Sequence, residues 1–167
     1  MPRNIEIKAR IASVEALLPV VRAIADQGPQ EIAQDDTFFR CDTGRLKLRV
    51  FSESHAELIY YRRTNQKGPK ESFYIRAPTP EPAALREALT GAYGQVGRVQ
   101  KQRTLFLAGR TRIHLDRVSG LGDFLELEVV LEDHETSEAG VLEANALLER
   151  LGIEPSQLIE NAYVDLL

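Results

Sequence analysis

Gly120-Leu121-Gly122-Asp123-Phe124-Leu125-Glu126-Leu127-Glu128-Val129-Val130-Leu131 is the stretch that decides the fold. A glycine turn leads into a strand over 123–131. Leu125, Leu127 and Val129 take one face, and Glu126 and Glu128 take the other. The same two-faced pattern recurs upstream. Glu6 and Lys8 share a face in a strand over 2–11, opposite Ile5, Ile7 and Ala9. Lys47 and Arg49 alternate with Leu46, Leu48 and Val50. Lys101 and Arg103 share a face in a strand over 96–107. Arg112, His114 and Asp116 line one face of a strand over 110–118, which forms a hairpin with it across Ala108-Gly109.

Runs at 34–41, 57–63 and 72–77 complete a set of eight strands. Helices are expected over 14–26, started by Ser13 and stopped by Gly28, and over 137–151, closed by Gly152. A third is expected from a Thr79 cap with Pro80 in first position to about Gly91, and a short one after Pro155. This is an α+β chain with a mostly antiparallel sheet, and eight strands suffice to close a barrel.

A charged face with both signs usually means only the solvated side of a sheet. Here the helices need an apolar surface, and the aliphatic face is the one available. If they cover the outside of a closed sheet, the charges point into a lumen. Buried ions need partners. A polyanion held by Lys and Arg, with divalent cations held by the carboxylates, satisfies both signs. The physical reading is a metal-dependent triphosphate site inside a barrel.

Composition sets the outer bounds. The chain has 167 residues, 43% of them hydrophobic, enough for one domain over 1–167 with its own core. Lys and Arg total 21 against 25 Asp and Glu, a net charge of −4, which argues against a general nucleic-acid binder. Cys41 is the single cysteine, so no internal disulfide forms. No apolar run approaches the ~20 residues of a membrane helix, and the start has no signal-peptide pattern. A cytoplasmic protein with no membrane partner is expected.

At these residues the sequence resembles the CYTH superfamily, the triphosphate tunnel metalloenzymes. Asn4-Ile5-Glu6-Ile7-Lys8 is similar to the N-terminal Glu-x-Glu-x-Lys signature, with Asn4 in place of its first acid. The likeness continues through Gln34-Asp35-Asp36-Thr37-Phe38-Phe39, Arg45-Leu46-Lys47-Leu48-Arg49, Leu58 to Arg63, Gly68-Pro69-Lys70, Lys101-Gln102-Arg103 and His114-Leu115-Asp116-Arg117-Val118. It ends in the Gly-Leu-Gly-x-Phe-x-Glu-x-Glu stretch, the most specific piece.

The resemblance implies an eight-stranded antiparallel tunnel with helices packed outside, a triphosphate-bearing small molecule (ATP, tripolyphosphate or thiamine triphosphate) and Mg²⁺ or Mn²⁺. Carried over by position, Glu6, Asp116, Glu126 and Glu128 are metal ligands. Lys8, Lys47, Arg49, Arg62, Lys101, Arg103 and Arg112 bind phosphate. Glu6, Lys8, Glu126 and Glu128 form the catalytic set. The layout to Leu167 looks most like class IV adenylate cyclases, which convert ATP to cyclic AMP and pyrophosphate. A triphosphatase uses the same cradle, and a tunnel that binds without turnover is the third reading. A homodimer is compatible with all three.

Other residues carry plainer alternatives. His114 reads as a routine strand histidine, or as a ligand or proton carrier sharing the parity of Arg112. Arg62 and Arg63 with Lys67 and Lys70 read as an anion-steering rim or an exposed loop. Phe38, Phe39, Tyr60 and Tyr61 read as packing, and Cys41 as inert.

Overall fold

The structure is a computed structural model that describes residues 2–167. Its strands are β1 (Arg3–Arg10), β2 (Gln27–Phe39), β3 (Arg45–Ser52), β4 (His55–Arg63), β5 (Lys70–Thr79), β6 (Gln95–Ala108), β7 (Thr111–Val118), β8 (Gly122–Val130) and the two-residue β9 (Leu158–Ile159). The helices are α1 (Val14–Ile24), α2 (Pro82–Tyr93), α3 (Ser137–Arg150) and α4 (Tyr163–Leu166). None of them is long and apolar enough to cross a membrane.

Strand order runs β5-β4-β3-β2-β6-β7-β8-β1, and β1 pairs back with β5, so eight antiparallel strands close a ring. β1 does this by dividing one edge. Arg3 to Glu6 pair with β5, while Lys8 and Ala9 pair with β9. No open edge remains along β1 to template another chain.

The aliphatic parity faces outward and forms the core against the helices. Ile7, Ala9, Ile113, Leu115, Leu125 and Leu127 pack with Val14 and Val21 of α1 and Leu147 and Leu148 of α3. Fully burying each such side chain contributes about 1.5–3 kcal/mol. α2 covers a separate patch, with Leu85 and Leu89 on Phe39, Leu48 and Ala56. Two glycines set how closely helices approach. A Cβ at Gly140 would lie 2.6 Å from Ile5 Cγ1, so only glycine lets α3 sit on β1. A Cβ at Gly97 would lie 2.3 Å from Val164 Cγ2, so β6 seats α4 in the same way.

Some boundaries differ from the sequence reading. α1 stops at Ile24 because Asp26 N already bonds Leu107 O, and β2 starts at Gln27 instead of 34. The polar Gln27–Ala33 segment hid that extension. Thr79 does not cap α2. It is paired opposite Ala56 at the end of β5, and Glu81 and Pro82 open the helix instead. The helix runs past Gly91 to Tyr93, where Gly94 at φ +78° ends it.

Candidate functional site

The inward parity of the ring encloses a lumen of about 540 Å³. Among the described residues, eight Lys and Arg and five Asp and Glu line it. The lumen is therefore net positive inside a chain of net charge −4. A field of that sign concentrates anions where bulk salt screens least.

One wall carries the carboxylates. Strand register places Lys8 opposite Glu126 and Glu6 opposite Glu128, with His114 and Arg112 opposite the same two glutamates on the other side. Lys8 Nζ lies 3.6 Å from Glu126 Oε2, and His114 Nδ1 lies 3.3 Å from Glu126 Oε1 and 3.8 Å from Glu128 Oε1. Asn4 Nδ2 donates to Glu128 Oε2 at 3.4 Å, and Arg63 Nε lies 3.3 Å from Glu6 Oε1. The acids respond differently. Burial, then the neighbouring Glu126, pushes Glu6 and Glu128 above the ordinary glutamate range. Burial also opposes ionisation of Glu126, but His114, Lys8 and Arg103 outweigh it and hold that carboxyl well below the usual range. Among the described residues, Asn4 Oδ1 and His114 Nε2 are buried here without a partner.

The facing wall carries the cations. Asp36, on the inward parity of β2, accepts from Arg49 Nε and Nη2 at 2.9 and 2.8 Å. Lys47 Nζ and Lys101 Nζ each lie 3.3 Å from its Oδ2. Burial lowers Lys47 to about 8 and Lys101 to about 7, in each case against the pull of Asp36 and with the push of Arg49. Burial opposes ionisation of Asp36, yet Arg49, Lys101 and Lys47 together keep it well below the usual range.

α4 seats one more side chain in the lumen. The Tyr163 ring lies 3.9 Å from Lys8 Nζ and 5.1 Å from Lys101 Nζ, positions that favour the cations. Its hydroxyl donates to Asp116 Oδ2 at 2.8 Å. Arg103 Nε and Nη2 donate to the two oxygens of Asp116 at 2.8 and 2.9 Å.

Glu6, Lys8, Lys47, Arg49, Lys101, Arg103, Arg112, Glu126 and Glu128 all reach the lumen, as does His114. Arg62 does not. It is exposed on the outer face of β4, over the Phe73 ring, and its neighbour Arg63 lines the lumen instead. Asp116 shares the parity of His114 but stands apart from the other acids. Both its oxygens are held by Arg103 and Tyr163, and it is not among the lining residues. Burial disfavours its charge, but Arg103 outweighs that and lowers it to about 2. Asp36 and Tyr163 carry no site role in the sequence reading, and Arg63 enters there only as part of an anion-steering rim. Asp36 shares its parity with Gln34 and Phe38, which could have revealed it. Tyr163 comes from the far end of the chain and carries no local signal.

Comparison with known proteins agrees with this geometry. A family model described as CYTH domain matches residues 2–163. The chain is 25% identical over 171 residues to the adenylate cyclase CyaB of Aeromonas hydrophila, covering 96% of this chain and 86% of that one. The PH1012 protein of Pyrococcus horikoshii OT3 superposes with a TM-score of 0.87 at 20% identity, covering 98% and 99% of the two chains. A Hippeastrum protein with a dominant triphosphatase activity superposes with a TM-score of 0.65 at 17% identity, covering 95% and 91%.

Proposed function

The chain belongs to the CYTH domain family, and from that premise we propose that it takes a triphosphate-bearing small molecule into its tunnel and acts as a class IV adenylate cyclase-like enzyme, converting ATP to cyclic AMP and pyrophosphate. The observation that carries this reading is the pair of facing walls: a carboxylate set with buried unpartnered oxygen and nitrogen opposite a cation cradle held by Asp36. A row of phosphates lies between them with both signs satisfied.

The donor set fits a divalent cation. Ligand atoms of His114, Glu126 and Glu128 lie within 4.8 Å of one another, and the unpartnered Asn4 oxygen lies beside them. Glu126 and Glu128 hold the ion in this reading, with Glu6 adjacent. A bound Mg²⁺ or Mn²⁺ supplies charge neutralisation at the phosphoryl oxygens.

The chain's own residues do the rest. Arg49 and Arg103 present planar guanidinium groups to phosphate oxygens, oriented by Asp36 and Asp116 respectively. Lys8, held under the Tyr163 ring, spans the gap between the cradle and Glu126. Lys47 and Lys101 recover full charge as an anion arrives, because a phosphate reverses the effect of burial on them. Ile32, Leu105 and Val130 with Phe51 and Tyr74 add an apolar and aromatic stretch of lining. That stretch takes a nucleoside, which favours the cyclase reading. The ribose 3′-hydroxyl then attacks the α-phosphorus and pyrophosphate leaves.

Hydrolysis of inorganic, thiamine or nucleoside triphosphate is the second reading, since the same cradle serves water attacking the terminal phosphorus. Incubation with ATP, tripolyphosphate and thiamine triphosphate, each with Mg²⁺ or Mn²⁺, separates them. Cyclic AMP with pyrophosphate supports the cyclase. Orthophosphate supports the triphosphatase. Tight binding without product reduces the site to a nucleotide-binding module.

A further inference from the structure

Glu126 and Glu128 divide their oxygens in the same way. Oε2 of Glu126 faces Lys8 Nζ at 3.6 Å, and Oε2 of Glu128 faces Asn4 Nδ2 at 3.4 Å and Arg112 Nε at 3.9 Å. The two Oε1 atoms converge on one imidazole nitrogen, His114 Nδ1, at 3.3 and 3.8 Å, and Glu126 Oε1 also lies 3.9 Å from Arg103 Nη2. We propose that His114 joins these carboxylates as a nitrogen ligand, so that the tunnel's metal site takes a divalent transition ion such as Mn²⁺ or Co²⁺ in preference to Mg²⁺. The proposal rests on the reading of Glu126 and Glu128 as metal ligands and adds the ligand that sets which metal they hold.

Hydrogen bonding alone does not account for the arrangement. Nδ1–H can serve one carboxylate, and 3.3 Å is already long for it, while 3.8 Å to the second is no hydrogen bond. Metal coordination accounts for both contacts. With bonds of about 2.1 Å, neighbouring ligand atoms stand about 3.0 Å apart in an octahedron and about 3.4 Å in a tetrahedron. The Glu126 contact falls in that range, and the Glu128 contact closes to it with a few tenths of an ångström of side-chain movement, on the order of rotamer slack.

A second observation points to a ligand independently. Asn4 is 4% exposed, spends its Nδ2 on Glu128 and leaves Oδ1 without a partner. An unpaired buried acceptor is unfavourable, and Asn4 stands beside the same carboxylate that faces His114. The donor set is thus one imidazole nitrogen and two carboxylate oxygens, with the Asn4 side chain against Glu128. Imidazole suits first-row transition ions, whereas Mg²⁺ prefers oxygen and keeps its waters. His114 itself is 1% exposed, and Nε2 has no protein partner.

The test uses the metals alone. Calorimetric titration with Mn²⁺, Co²⁺ and Mg²⁺ is expected to show the transition ions bound about ten-fold or more tightly than Mg²⁺. Pulsed electron paramagnetic resonance of bound Mn²⁺ is expected to show coupling to a directly bound imidazole ¹⁴N. In His114→Gln the coupling disappears and Mn²⁺ binding weakens about ten-fold or more, while Mg²⁺ binding changes about two-fold or less. Mn²⁺ bound to the wild-type protein without imidazole coupling overturns the role of His114 and leaves the carboxylate reading intact. Glu128→Gln separates the two, because Mn²⁺ binding unchanged in that variant overturns the carboxylate reading as well. The wild-type spectrum decides even where His114→Gln fails to fold.

Discussion

The two walls of the lumen solve opposite problems. Around Asp36 a single carboxylate serves one buried and two half-buried cations, with four contacts between 2.8 and 3.3 Å. Around Glu128 three acids crowd together, two of them pushed toward their neutral forms, and buried polar atoms go unpartnered. The cradle's four ionic contacts close within the chain, with Gln34 Oε1 the one buried polar atom of that wall lacking a partner among the described residues, so its geometry is fixed before an anion arrives. The carboxylate wall is incomplete, and a cation resolves its repulsion. Counter-ions inside the chain thus preorganise one half of the site, and the other half waits for its ligand.

The contrast is broken most visibly by catalysis. Glu126→Gln and Glu128→Gln keep the side-chain shape and remove the charge. Each is expected to lower metal-dependent turnover by about two orders of magnitude or more while the fold survives. Turnover within a few-fold of wild type at limiting metal would return both residues to a purely structural role.

Stability separates the walls in opposite directions. Asp36→Asn leaves the buried Lys101 and the half-buried Lys47 and Arg49 without their carboxylate, a change that costs about 3 kcal/mol and lowers Tm by about 10 °C. Glu128→Gln removes a charge that burial and Glu126 already disfavour, so its Tm should hold or rise slightly. Thermal denaturation of the two variants side by side checks this, and equal losses would erase the distinction.

The cradle also predicts a pH dependence. Lys101, with Asp36, Arg49, Lys47, Arg103 and Tyr163 around it, is lowered by burial to about 7, and Lys47 to about 8. A bound triphosphate raises both values. Below pH 7 both lysines are charged with or without ligand, so affinity is full. As pH rises through 7 and 8, binding must take up protons, and affinity falls by up to about ten-fold per pH unit for each lysine. Calorimetry at pH 8 in buffers of different ionisation enthalpy should register that uptake. Affinity flat from pH 6 to 9 would contradict it.

Arginine neighbours give the smallest effect. Arg63→Ala, which removes the partner of Glu6, should weaken triphosphate binding several-fold, about 1 kcal/mol for a charged contact. Arg62→Ala should stay within about two-fold. Binding titrations of the pair would expose an error in the register of β4 if the order were reversed.

That pair also shows where the sequence was readable. Alternation of charge and aliphatic side chains marks the lumen faces of β1, β3, β7 and β8, because the residues flanking Glu6, Lys8, Lys47, Arg49, His114, Glu126 and Glu128 are mostly apolar, whereas in β6 the parity opposite Lys101 and Arg103 is Gln100, Gln102 and Thr104 and only the paired charges carry the signal. In β4, Leu58-Ile59-Tyr60-Tyr61 is apolar on both parities, so nothing local tells Arg62 from Arg63. Asp35 and Asp36 are chemical twins as well. Asp35 holds the exposed Arg98, while Asp36 is 1% exposed and holds the cradle. Asp116 followed the parity rule but was captured by Arg103 and by Tyr163, whose arrival depends on α4 folding back onto Gly97. Long-range docking of that kind leaves no periodic trace.

The most direct measurement of the central claim is a titration with a non-hydrolysable ATP analogue, with Mn²⁺ present and with a chelator in its place. Saturable one-site binding that needs the metal and collapses in Arg49→Ala and Arg103→Ala is expected, with about ten-fold loss or less between low and physiological salt because the cations are enclosed. Weak, unsaturable binding that ignores the metal and falls by many orders of magnitude with salt would contradict the claim.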